Sequence, residues 1–101
     1  PHKTDILITH GPSYGILDEC PAMDDFSRLV HVGCKDLDNA LNDVRPKVHC
    51  FGHIHMAYGT AWDGRGCLKL NASICNEDDK PVNKPLVFDW DNGKITPVHV
   101  L

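Results

Sequence analysis

Two short apolar runs stop at the same kind of punctuation, and this constrains the fold more than any other feature. Asp5-Ile6-Leu7-Ile8-Thr9-His10 is closed by Gly11-Pro12, and Val48 to Phe51 ends at Gly52. Runs this short, bounded by glycine or proline, read as buried strands rather than helices. Both lead straight into histidine-bearing turns. The chain is therefore expected to be a sheet protein with polar chemistry gathered at strand ends.

The intervening sequence supplies a cover for that sheet. Cys34, Leu37, Leu41 and Val44 recur at helical spacing, with Asp36 and Asp38 in the first turn and Pro46 closing the run. This predicts one amphipathic helix. Residues 11–33 are rich in Gly, Pro, Ser and Asp without sustained periodicity and are read mostly as loop. A loop that long in a compact domain is usually functional or locally folded. Tyr58 to Trp62 is a possible third strand and Asp63-Gly64-Arg65-Gly66 a hairpin turn. Cys67 to Ala72 is a further strand, with Leu68 and Leu70 on one face and Cys67, Lys69 and Asn71 on the other. After the polar loop 76–85, Leu86 to Trp90 and Lys94 to Val100 flank Asp91-Asn92-Gly93, a strong tight-hairpin signal. The fold class is α/β, a mixed sheet with antiparallel hairpins.

Composition narrows the function classes. Among 101 residues, 24% charged and 42% hydrophobic describe an ordinary globular chain, long enough for one small domain. The net charge of −4 comes without any basic stripe, which argues against a nucleic-acid surface. Five cysteines without a CxxC read as reduced thiols. No apolar run approaches the roughly 20 residues of a membrane span, so no membrane partner is expected and the cytoplasm is the expected compartment. The chain opens Pro1-His2-Lys3 without an initiator methionine and is expected to be a fragment or a processed product.

His10, His53 and His55 all follow apolar runs at glycine-containing turns, where α/β proteins tend to place active-site groups. In extended backbone, residues i and i+2 share a side, so His53 and His55 are expected to face one pocket. Neutral imidazole suits zinc, iron and manganese. His2, His49 and His99 are read as surface or structural histidines, with nothing pairing His49 to the others.

Thr9-His10-Gly11-Pro12, His31-x-Gly33-Cys34, Phe51-Gly52-His53-Ile54-His55 and Asn71-Ala72-Ser73 occur in that order along the chain. Together they resemble the C-terminal half of a calcineurin-like metallophosphoesterase, nearest to the metallophosphoesterase-domain, class III phosphodiesterase-like subgroup. The resemblance implies half of a β-sandwich flanked by helices, residues 1–101 forming a single or partial domain. It implies two divalent metals (manganese, iron or zinc), with His10 and His53 as ligands of one and His55 of the other. His31 and Gly11 are carried as substrate-side residues. Hydrolysis of a phosphodiester, including a cyclic nucleotide, or of a phosphomonoester is the implied activity. The family's first half supplies an Asp-x-His pair, a bridging aspartate and an Asn-His pair, and these are absent here. The implied partner is thus the N-terminal half of the same enzyme, and the chain alone is expected to be inactive. Two other readings stand beside this one. One is a non-catalytic binding or scaffold module on the same fold. The other is a structural zinc site that uses Cys50 with the histidines.

Overall fold

A computed structural model describes residues 4–100, with the side chains of 97–100 left aside. Placing His2, the Pro1-His2-Lys3 opening and the His99 side chain falls outside the described residues. Four strands form the main sheet. β1 (Ile6–Ile8) pairs in parallel with β4 (Val48–Phe51), and β4 in parallel with β6 (Leu68–Asn71). β5 (Gly59–Trp62) then adds antiparallel to β6, giving the order β1-β4-β6-β5. The sheet is mixed, as expected of an α/β chain.

Pairing register decides what each face does. Ile6 and Ile8 lie opposite Val48 and Cys50, which in turn lie opposite Leu68 and Leu70. Val48, Leu68 and Leu70 form the buried core on this face, with Cys50, Leu86, Phe88 and Ile95 packed against it. The last three belong to a hairpin, β7 (Leu86–Asp91) and β8 (Lys94–Val100). Asn92 and Gly93 both have positive φ, 50° and 81°, as the tight turn of an Asn-Gly hairpin requires. The cover stops short of β1, an edge strand on which Ile8 remains 76% exposed.

The opposite face carries His49, Phe51, Lys69 and Asn71, all buried. Apolar alternation fails here, since β6 is buried on both faces. Lys69 donates from Nζ to Ser13 Oγ at 2.7 Å, and burial holds its ammonium pKa below the usual value. The helix α1 (Lys35–Val44) begins at Cys34, whose Sγ accepts from the Leu37 N–H at 3.3 Å. It ends at Arg45, a left-handed cap (φ 46°) whose N–H donates to the Leu41 carbonyl, and Pro46 cannot continue the helix. Arg65, in the turn after β5, reaches the Asp38 carboxylate and the Asn42 side chain on this helix.

Residues 11–33 are mostly loop, as expected, but locally folded. They contain an antiparallel pair, β2 (Glu19–Pro21) with β3 (Leu29–His31). Three-residue strands are too short to show a period, and Pro21 argues against a strand except at an edge. No helix among the described residues is long and apolar enough to cross a membrane.

Candidate metal-binding turns

The parallel strands β1 and β4 end side by side, so their two following turns meet. Thr9 N–H donates to the Cys50 carbonyl at 3.0 Å and Gly52 N–H to the His10 carbonyl at 3.1 Å, carrying the pairing two residues past β1. Immediately beyond, Ile54 N–H donates to the Gly52 carbonyl at 2.8 Å. This closes a three-residue turn about His53, whose φ is 71°. That is the rare, strained γ-turn, and strain of this kind tends to sit at functional sites.

The turn corrects the sequence argument for His53 and His55. The backbone is not extended there, because His55 opens a short 3-10 helix (His55–Ala57) directly after the γ-turn. His53 instead lies against His10, with ring centroids 4.6 Å apart and planes tilted by 39°. His55 is held elsewhere, its Nδ1 3.3 Å from an Asp79 carboxylate oxygen. Gly11 abuts the same pair, since a Cβ there would come within 3.8 Å of His53 Cδ2. A pocket of about 380 Å³ opens beside them, lined by Thr9, Gly11, Pro12, Val32, Cys34, Leu37, His53 and Ile54.

Among the described residues, no group of three or more His, Cys, Asp or Glu is placed to hold a metal ion. Two adjacent, exposed imidazoles on anchored turns nevertheless suit a first-row divalent cation as part of a ligand set. Cys50 does not support the structural zinc reading. Its side chain packs against the apolar core, and burial pushes its thiol pKa up, opposing the thiolate that zinc needs.

His31 does not line the pocket. Its Nδ1 meets the buried Asp18 carboxylate at 2.6 Å, and its ring lies 5.4 Å from that of Tyr14. Asp18 also accepts the Gly15 and Gly33 N–H groups, each at 2.9 Å, so it fastens the loop before β2 to the end of β3. Burial raises the Asp18 pKa, but these bonds outweigh it and hold the carboxyl below 3.8. The same hydrogen bond raises His31 above 6.5. Asp18's contribution to stability is therefore complete above 3.8 and lost as pH falls through its lowered value. His31's is complete below 6.5 and lost as pH rises through its raised value. At Gly33 a Cβ would collide with the Ser13 carbonyl, so glycine permits the approach that seats Cys34 beside Pro12.

Sequence reasoning gave no site role to three residues that build this site, although Thr9 and Asn71 lie in the quoted motifs. Asn71 is fully buried and spans the two loops. Its Nδ2 donates to the Ile54 carbonyl at 2.9 Å and the Leu17 carbonyl at 3.2 Å, while its Oδ1 accepts from Ser73. Thr9 and His49 form the second link, with His49 Nε2 2.9 Å from Thr9 Oγ1. His49 is thus a buried structural histidine, as expected, and it is paired to the residue preceding His10. The only sequence signal was its place in a buried strand.

Burial, followed by the charge of Lys69, pushes the His49 pKa down to about 4. An unfolded His49 titrates near 6.5, so the unfolded chain binds the extra proton between these values and stability rises with pH across that window. Acidification from pH 7 to 4 is expected to cost roughly 2–3 kcal/mol through this group. Urea titrations of the chain and of His49→Gln at several pH values check this. The variant should show a flatter profile between pH 6.5 and 4, and an unchanged slope would contradict the assignment.

No family model matches the chain. It is 44% identical over 90 residues to human metallophosphoesterase domain-containing protein 1, covering 88% of this chain and 26% of that protein. The mouse protein of the same name matches equally. A Caenorhabditis elegans UPF0046 protein is 39% identical over 100 residues, which is 98% of this chain and 22% of that protein. The chain thus spans about a quarter of the length of these curated relatives. Identity of 44% across 88% of the chain to proteins of that name supports a metallophosphoesterase family for it.

Proposed function

We propose that this chain is the C-terminal portion of a metallophosphoesterase domain of the class III phosphodiesterase-like subgroup, and that it supplies the imidazole half of a two-metal site. The observation that carries the reading is the meeting of His10 and His53, rings 4.6 Å apart, at the ends of adjacent parallel strands. In this reading they hold one divalent ion (manganese, iron or zinc), and His55 faces the second. When bound, such ions polarise phosphoryl oxygens and activate water for attack on a phosphodiester, with cyclic nucleotides included, or on a phosphomonoester. Gly11 leaves space beside His53 for the substrate. His31 holds the β2–β3 hairpin near the pocket through its bond to Asp18.

Three neutral imidazoles do not balance two divalent charges, so in this reading a preceding portion of a longer protein supplies the bridging carboxylates. The edge strand β1 and the exposed Ile6 and Ile8 support a sandwich completed by that portion. Five free thiols suit a reducing cytoplasm. No observation favours the scaffold reading over this one.

The test is hydrolysis of bis-p-nitrophenyl phosphate with added manganese. The isolated chain is expected to be inactive. A chimaera that carries it in place of the matching stretch of the human relative is expected to turn over and to stop with chelator. Chelator-sensitive turnover by the isolated chain would show that it needs no partner. An inactive chimaera that folds and binds no metal would favour the scaffold.

A further inference from the structure

We infer that His49, through Thr9, is a positioning residue for the turn that carries His10. The inference rests on the proposal that His10 and His53 share a metal, but its hydrogen bonds can be read without one.

Thr9 Oγ1 has a single hydrogen. It lies 2.7 Å from the Gly11 carbonyl, which can only accept, so the hydroxyl proton goes there. The 2.9 Å contact with His49 Nε2 must then run the other way, with the imidazole N–H donating to the hydroxyl oxygen. This fixes the ring as the Nε2–H tautomer and makes Nδ1 a bare acceptor. Nδ1 is indeed buried without a partner. The other tautomer would bury an orphaned N–H instead, which is the rarer defect.

The result is a relay from β4 into the site: His49 N–H to Thr9 hydroxyl to Gly11 carbonyl. His10 lies between Thr9 and Gly11, its own carbonyl anchored by Gly52 N–H at 3.1 Å. Gly11 in turn lies against His53. Full burial of His49 and its contact with Phe51, ring centroids 4.9 Å apart, hold the donor in place. Without that donor the Thr9 hydroxyl keeps only its bond to the Gly11 carbonyl, and the spacing of the two imidazoles loosens.

Two readouts test this on the full chain. Two-bond nitrogen–proton spectra of the metal-free chain should show His49 as the Nε2–H tautomer at neutral pH, with that preference weakened in Thr9→Val. Zinc titration by calorimetry should show affinity reduced about 10 to 100-fold in His49→Phe and in Thr9→Val, the usual cost of losing a group that orients a metal ligand. The double variant should lose little more than either single one. His49→Gln, which keeps an N–H donor, should return most of the affinity, a rescue that packing alone would not produce.

An Nδ1–H tautomer in the unsubstituted chain would overturn the inference. So would wild-type affinity in folded Thr9→Val while His10→Ala loses zinc. If His10→Ala leaves zinc affinity unchanged, the metal reading falls. The relay is then overturned or upheld by the tautomer alone.

Discussion

Replacing His10 or His53 with alanine in a chimaera of the relatives' length is expected to lower metal content and phosphoesterase rate together, by about 100-fold or more. Removing a group that merely orients a ligand costs 10 to 100-fold, and each of these substitutions removes a proposed ligand outright. His53→Ala should also relieve backbone strain less than His53→Gly, because φ of 71° disfavours any side chain. If strain at His53 serves ligand placement, His53→Gly will be at least as stable as the parent while losing metal equally. Rate and metal content measured side by side check this, and loss of rate with full metal content would contradict the ligand role. His55→Ala should lower the rate without disturbing the His10–His53 pair, since its contact is with Asp79.

The second large effect is on stability. Asn71→Ala is expected to destabilise the chain by roughly 3–5 kcal/mol, a large share of the 5–15 kcal/mol typical of a domain. The substitution removes four hydrogen bonds and strips the Leu17 and Ile54 carbonyls and the Ser73 N–H of their side-chain partner. Ile54 sits between His53 and His55, so the same change should free their turn. Denaturant titration measures the loss. A change below about 1 kcal/mol would mean that water replaces the amide without cost.

Local pattern made much of this fold legible. The helix showed itself through Leu37, Leu41 and the proline that follows, and the last hairpin through Asn92-Gly93. β4 begins and ends where its apolar run does. The hidden parts depend on partners far along the chain. Lys69 reads as a solvent-facing strand residue until Ser13, 56 positions away, is placed over it. The His49–Thr9 bond spans 40 positions. The γ-turn at His53 breaks a local rule, since nothing in the flanking sequence signals a positive φ at this histidine, as Asn-Gly does at Asn92. Its break is where the candidate site lies, as expected when function overrides local preference.

The account turns on His10 and His53 sharing one metal ion. Zinc-edge X-ray absorption of the chain with one equivalent of zinc tests this directly, because imidazole ligands can be counted from their multiple scattering. The account predicts two imidazoles, falling to one in His10→Ala and in His53→Ala and remaining two in His55→Ala. Two imidazoles persisting in either of the first two variants would contradict it.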